Sequence, residues 1–211
     1  MPSATTVITP ARFAEGLTYS DFLAKAALNH DKFDASYQSV PLTEDDLSFF
    51  RKAAQLLNGP AKILAIAEAW CGDVYRELPT QVRIAEATGM DLRIFFRDEN
   101  PDIMDEFLSN NGKSRAIPVF VYYTADLRYI TRFTERSASA HAGLETAKTE
   151  AKAELGLPAA ATFGNLPDAD RQRFLREVIA KIRPYSLQWR KDAIQEIRGL
   201  LSTALKIPDA G

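Results

Sequence analysis

The chain has 211 residues, 46% of them apolar, and a net charge of −2 from 26 Lys and Arg against 28 Asp and Glu. That is enough apolar material for one large domain. The balanced charge, with no basic cluster interleaved with aromatics, argues against nucleic acid, and no apolar run reaches membrane-spanning length.

Residues Met1 to Leu17 hold no clear period and read as a loose arm. Met1 to Pro10 lacks the basic start and apolar segment of a secretory leader. Ser20 to Asn29 is predicted as a short helix, capped by Ser20 or Thr18, with Phe22, Leu23, Ala26 and Ala27 on one face. His30 is expected to end it as a solvated residue favoured by the helix dipole, and Asp31 to Pro41 to form a connection. Thr43 caps the next helix, with Asp46 in an acidic first turn and a stripe of Leu47, Phe50, Ala54 and Leu57. Asn58-Gly59-Pro60 stops it. Ile63 to Ala67 is a continuous apolar run, as expected of a central strand covered on both faces.

A helical pattern follows the turn Trp70-Cys71-Gly72-Asp73-Val74 and ends at Gly89. Asp91 to Arg97 reads as a second strand, parallel to the first through a right-handed crossover. Asn100-Pro101 opens a helix with Ile103, Met104, Phe107 and Leu108 buried, ending near Gly112. Pro118–Tyr123 and Arg128–Phe133 make an antiparallel hairpin. Ser137 to Leu155 is Ala-rich and charged and reads as a long exposed helix bearing a solvated His141, broken by Gly156-Leu157-Pro158. Asp168 to Ile182 is amphipathic, Pro184 breaks it, and Trp189 to Leu205 forms the last helix.

The only cysteine, Cys71, therefore falls where a strand ends and a helix begins. Unpaired N–H groups and the peptide dipoles favour an anion there, so the residue reads as a nucleophile with a lowered pKa. Asp73 opposes this, and the expected depression is modest. One cysteine makes no internal disulfide, which points to a reducing compartment, the cytoplasm. The plain alternative for Cys71 is a small buried hydrophobe. Two distant histidines and one cysteine give no metal-ligand spacing, no Cys–His pair is supported, and no cofactor fingerprint is present.

Trp70-Cys71-Gly72 after a strand resembles the active-site turn of thioredoxins, which read Trp-Cys-Gly-Pro-Cys. Pro79 stands where that family carries the proline that kinks the active-site helix. Ala116-Ile117-Pro118-Val119 resembles the cis-proline loop that faces the cysteine. Arg97-Asp98-Glu99-Asn100, Ile117-Pro118 and Trp189 are also similar to a group of bacterial thioredoxin-like proteins. The core resemblance covers about Ala61 to Phe133. It implies an α/β thioredoxin-like three-layer fold with a central mixed sheet of about four strands. A single domain over 1–211 is then expected, with an N-terminal helical extension to 59, a core over 60–136 and C-terminal helices over 137–211.

The chain departs from the family at Val74, in place of the second cysteine, and at Ala65, in place of a buried carboxylate. Glu68 stands three residues before Cys71. Without a resolving cysteine, a redox cycle needs an external thiol. The resemblance implies Cys71 as the catalytic residue, with Trp70, Ile117 and Pro118 binding protein thiols or glutathione; Arg115 lies close enough in sequence to bind a carboxylate there, but reads first as a solvated loop arginine. The competing expectation is a binding module on the same fold that has lost redox activity.

Overall fold

A computed structural model describes residues 6–207. They fall into two compact units, one of residues up to 136 together with those from 194 onward, the other of residues 137–193.

In the first unit, β1 (Lys62–Ala67), β2 (Asp91–Phe96), β3 (Val119–Tyr123) and β4 (Tyr129–Thr134) form one sheet in the order β2-β1-β3-β4. β1 pairs parallel with β2 and antiparallel with β3, and β3 pairs antiparallel with β4. This is the expected mixed α/β sheet. Every residue from Ile63 to Ala67 has 0% exposure, so β1 is covered on both faces.

The segment read as a loose arm is ordered over its described part; Met1 to Thr5 lie outside the described residues. Thr9 caps the five-residue helix α1 (Pro10–Ala14), and Ile8 and Phe13 are buried. Leu17 then exchanges two 2.9 Å backbone hydrogen bonds with Ile94 on β2. Gly16 permits that approach, because a Cβ there would stand 2.6 Å from the Cβ of Arg93. A helix this short shows no periodicity in the sequence.

Thr18 caps α2 (Tyr19–Ala26). His30 does not end that helix but opens the next, α3 (His30–Gln38), where a connection was expected. Ala27 and Asn29 adopt left-handed backbone between the two, turning the chain sharply. α3 buries only Phe33, too little to print a periodic pattern. Phe33 meets Phe22 edge-on at 5.9 Å, and Phe22 stacks on Phe96 of β2 at 4.9 Å.

α4 (Glu44–Ala54) starts with a reciprocal capping box between Thr43 and Asp46. Leu57 falls beyond its last turn and is 98% exposed, so the expected stripe stops short of it. α5 (Gly72–Thr88) carries Pro79 inside it and ends on Gly89 at φ 74°. α6 (Pro101–Asp105) is shorter than expected. The Asn100 side chain does not cap it; its Nδ2 donates to the Phe96 carbonyl and its Oδ1 accepts from Arg12, each at 2.7 Å.

The last helix, α9 (Ser186–Leu205), contributes Ile194, Ile197 and Leu201 to the core of the first unit. Its Arg198 binds Asp45 and the buried Asp46, each at 2.7 Å, and Gln195 donates to Asp46 at 2.9 Å.

In the second unit, Ser137 caps α7 (Ala138–Leu155), which packs against α8 (Asp168–Ile182). α7 is not exposed throughout, since Ala140, Ala147 and Ala151 are buried. Ala151 joins Phe174 and Val178 of α8 in a small core. The alanines leave room for close helix approach while giving little apolar signal in the sequence.

Candidate functional site

Cys71 is the N-cap residue of α5, with β-region backbone (φ −81°, ψ 127°). Two sequence features place it there: β1 ends at Ala67, and Gly72 begins the helix. The Cys71 N–H donates to the Glu68 carbonyl at 3.0 Å, closing the turn. The residue is half-buried. The loop before β3 faces it: the Ile117–Pro118 peptide is cis, and the Cys71 thiol donates to the Ile117 carbonyl at 3.7 Å. Ile117 and Pro118 are themselves buried. The structure thus brings Cys71, Ile117 and Pro118 together across 46 residues of chain.

Trp70 is 54% exposed beside them, and the Arg97 guanidinium lies 5.1 Å from the centre of its ring. Asn29 donates to the Ala69 carbonyl at 2.9 Å, tying the turn to the start of α3. Glu68 is buried and accepts from the backbone N–H of Asp98 at 2.9 Å, which joins the end of β1 to the end of β2. Burial raises its pKa. Arg115 is exposed, as expected of a solvated loop arginine, and forms a two-bond pair with Asp105 at 3.0 Å each.

The expected lowering of the Cys71 pKa is not found. Burial pushes the thiol up, and the Asp73 charge adds to that effect. The N–H groups of Val74 and Asp73 and the Arg136 charge act the other way but do not prevail. The helix onset does favour the anion, yet desolvation outweighs it. The hydrogen bond to Ile117 requires the proton, so it too favours the thiol.

Arg136 is the group the sequence reading missed. It follows β4 and pairs with Asp73, 63 residues away, through its Nε at 3.1 Å and through Nη2. Arg76 binds the other carboxylate oxygen of Asp73 at 3.2 Å. The Asp73–Arg76 spacing of three on a helix was readable from the sequence; Arg136 gave no local signal. Val74, next on the helix, is fully buried and packs in the core. Among the described residues, no group of three or more His, Cys, Asp or Glu side chains is placed to hold a metal ion, and no helix is long and apolar enough to cross a membrane.

A half-buried cysteine at the first turn of the helix after β1, facing a cis-proline before β3, defines a thioredoxin-like domain. The thioredoxin family profile matches residues 16–150, and the chain belongs to that family. Among solved structures, a protein of unknown function, PA1234 from Pseudomonas aeruginosa, shares 15% identity, with a TM-score of 0.58 over 94% of this chain and 99% of that one. An HIV epitope-scaffold shares 14%, with a TM-score of 0.57 over 93% and 99%. At these identities the likeness concerns the fold alone. No curated protein matches the chain.

Proposed function

We propose that this thioredoxin-like protein performs monothiol exchange, with Cys71 forming mixed disulfides with glutathione or a protein thiol. The supporting observation is the sulfur of the half-buried Cys71, 3.7 Å from the Ile117 carbonyl, beside Pro118 and the exposed Trp70. The Cys71 thiolate attacks a disulfide RS–SR′, forming a Cys71–SR bond and releasing R′S⁻. An external thiolate then attacks that mixed disulfide, leaves with RS, and returns Cys71 as the thiolate. Nothing in the chain replaces this second step, because Val74 stands where a resolving cysteine would be.

The raised thiol pKa makes the resting protein a slow nucleophile toward small disulfides at neutral pH. Reaction is then governed by docking at the Pro118 loop and rises with pH. Incubation with oxidised glutathione across a pH series, read by intact-protein mass spectrometry, tests this. A single glutathione adduct that forms faster at higher pH, and is removed by a reducing thiol, is expected. No adduct even at alkaline pH sinks the reading.

The same raised pKa and the packing role of Val74 favour a second reading, a non-catalytic binding module on this fold. Cys71→Ser separates the two: a retained partner complex and cellular phenotype support binding, and their loss supports thiol chemistry.

A further inference from the structure

We infer that Asp73 is a positioning residue for the sulfur: by clamping Arg136 it weakens the support that this guanidinium gives the Cys71 thiolate. The inference deepens the preceding reading and rests on Cys71 being the reacting group.

The geometry is that of a counter-charge trap. Asp73 is 9% exposed in the first turn of α5, two residues from the sulfur. Arg136 and Arg76, with side chains 15% and 17% exposed, approach it from either side. Two guanidinium groups thus share one carboxylate, more than capping requires, because the N-cap position is taken by Cys71 itself. Among the described residues, Asp73 and Arg136 are the charged groups that act most on the sulfur. Arg76 reaches the other oxygen of Asp73 at 3.2 Å, and Glu135 lies 3.8 Å from Arg136. An opposite charge a few ångströms from a thiolate favours it, but a guanidinium already bound to a carboxylate projects little net field beyond the pair. Asp73 therefore acts twice, by direct repulsion and by occupying Arg136.

Two substitutions and their combination separate the routes. The readout is the pH dependence of Cys71 alkylation by iodoacetamide, which reports the thiolate whether or not disulfide exchange takes place. Asp73→Asn is expected to lower the titration midpoint by about one unit, the lower end of the range for a nearby opposite charge. Near neutral pH that is about tenfold faster alkylation. Arg136→Met is expected to raise the midpoint. In the Arg136→Met background, Asp73→Asn should move it by less than half as much, the mark of two groups acting as a unit. An unmoved midpoint in Asp73→Asn, or an equal shift with and without Arg136, overturns the inference. Should Asp73→Asn fail to fold, as judged by circular dichroism, Arg136→Met decides alone, since it leaves Asp73 paired to Arg76. An unmoved midpoint there overturns the inference as well. Absent exchange with the expected alkylation shifts would instead remove the monothiol reading and leave the clamp standing.

Discussion

A thiol at a helix start is commonly read as activated, and Cys71 shows what decides the matter. The helix contributes N–H groups and dipole, but burial, the Asp73 charge and the Ile117 carbonyl all favour the protonated form. The sign of the pH effect follows. The folded-state pKa lies above the unfolded value of about 8.5, so the folded state holds more protons between the two values. This contribution to stability is intact below about pH 8.5 and is lost as pH rises through the folded value. Urea midpoints should fall between about pH 8 and 10, and fall less in Cys71→Ser; equal declines in both proteins would contradict the assignment. The place of Cys71 and the loop opposite were legible because strand end, helix start and Ile117-Pro118 are short-range patterns. Its protonation state was not, because it is set first by burial, which no local pattern announces, and in smaller part by Asp73 and by Arg136, brought in from beyond β4.

Among the elements, those with a long run of one period were readable: β1, β2, the hairpin β3–β4 and α5 lie where the pattern put them, within a residue or two, and α4 starts where expected but ends three residues before Leu57. α1 and α3 were not, because each is short and buries one large residue, Phe13 and Phe33 respectively. These single anchors carry much of the packing. Phe33 has 0% exposure and touches Phe22, Tyr19 and Tyr75 at ring distances of 5.9 to 6.3 Å. Phe33→Ala should cost about 3–5 kcal/mol, from lost burial and a cavity that rigid neighbouring rings do not fill. Chemical denaturation measures it, and a loss under about 1 kcal/mol would mean that α3 is peripheral to the fold.

At the level of the whole molecule, the mixed sheet is legible in the sequence, while the return of α9 to the first unit is not. Residues from Ile194 onward belong with those up to 136, although more than fifty residues of the second unit intervene. What holds them is a buried polar network that no local pattern announces: Arg198 and Gln195 on α9, Asp46 and Thr43 at the start of α4. Burial alone disfavours the Asp46 charge, but bonds from Thr43, Arg198 and Gln195 outweigh it and hold the carboxyl below the usual range. Arg198→Ala leaves a buried carboxylate short of its counter-charge and should cost about 3 kcal/mol. Hydrogen exchange should show the loss at the start of α4 and the end of α9, with amides of β1 among the last to open. Uniform loosening throughout would argue against a local anchor.

The two tryptophans of the chain sit in unlike surroundings, Trp70 54% exposed beside Cys71 and Trp189 7% exposed. Their emission is accordingly separable: a red-shifted component, open to aqueous quenchers, from the residue next to the sulfur, and a blue-shifted one from the enclosed indole. The molecule thereby carries its own optical gauge, in which a group docking on the sulfur and covering Trp70 should alter one colour while the other serves as the internal standard.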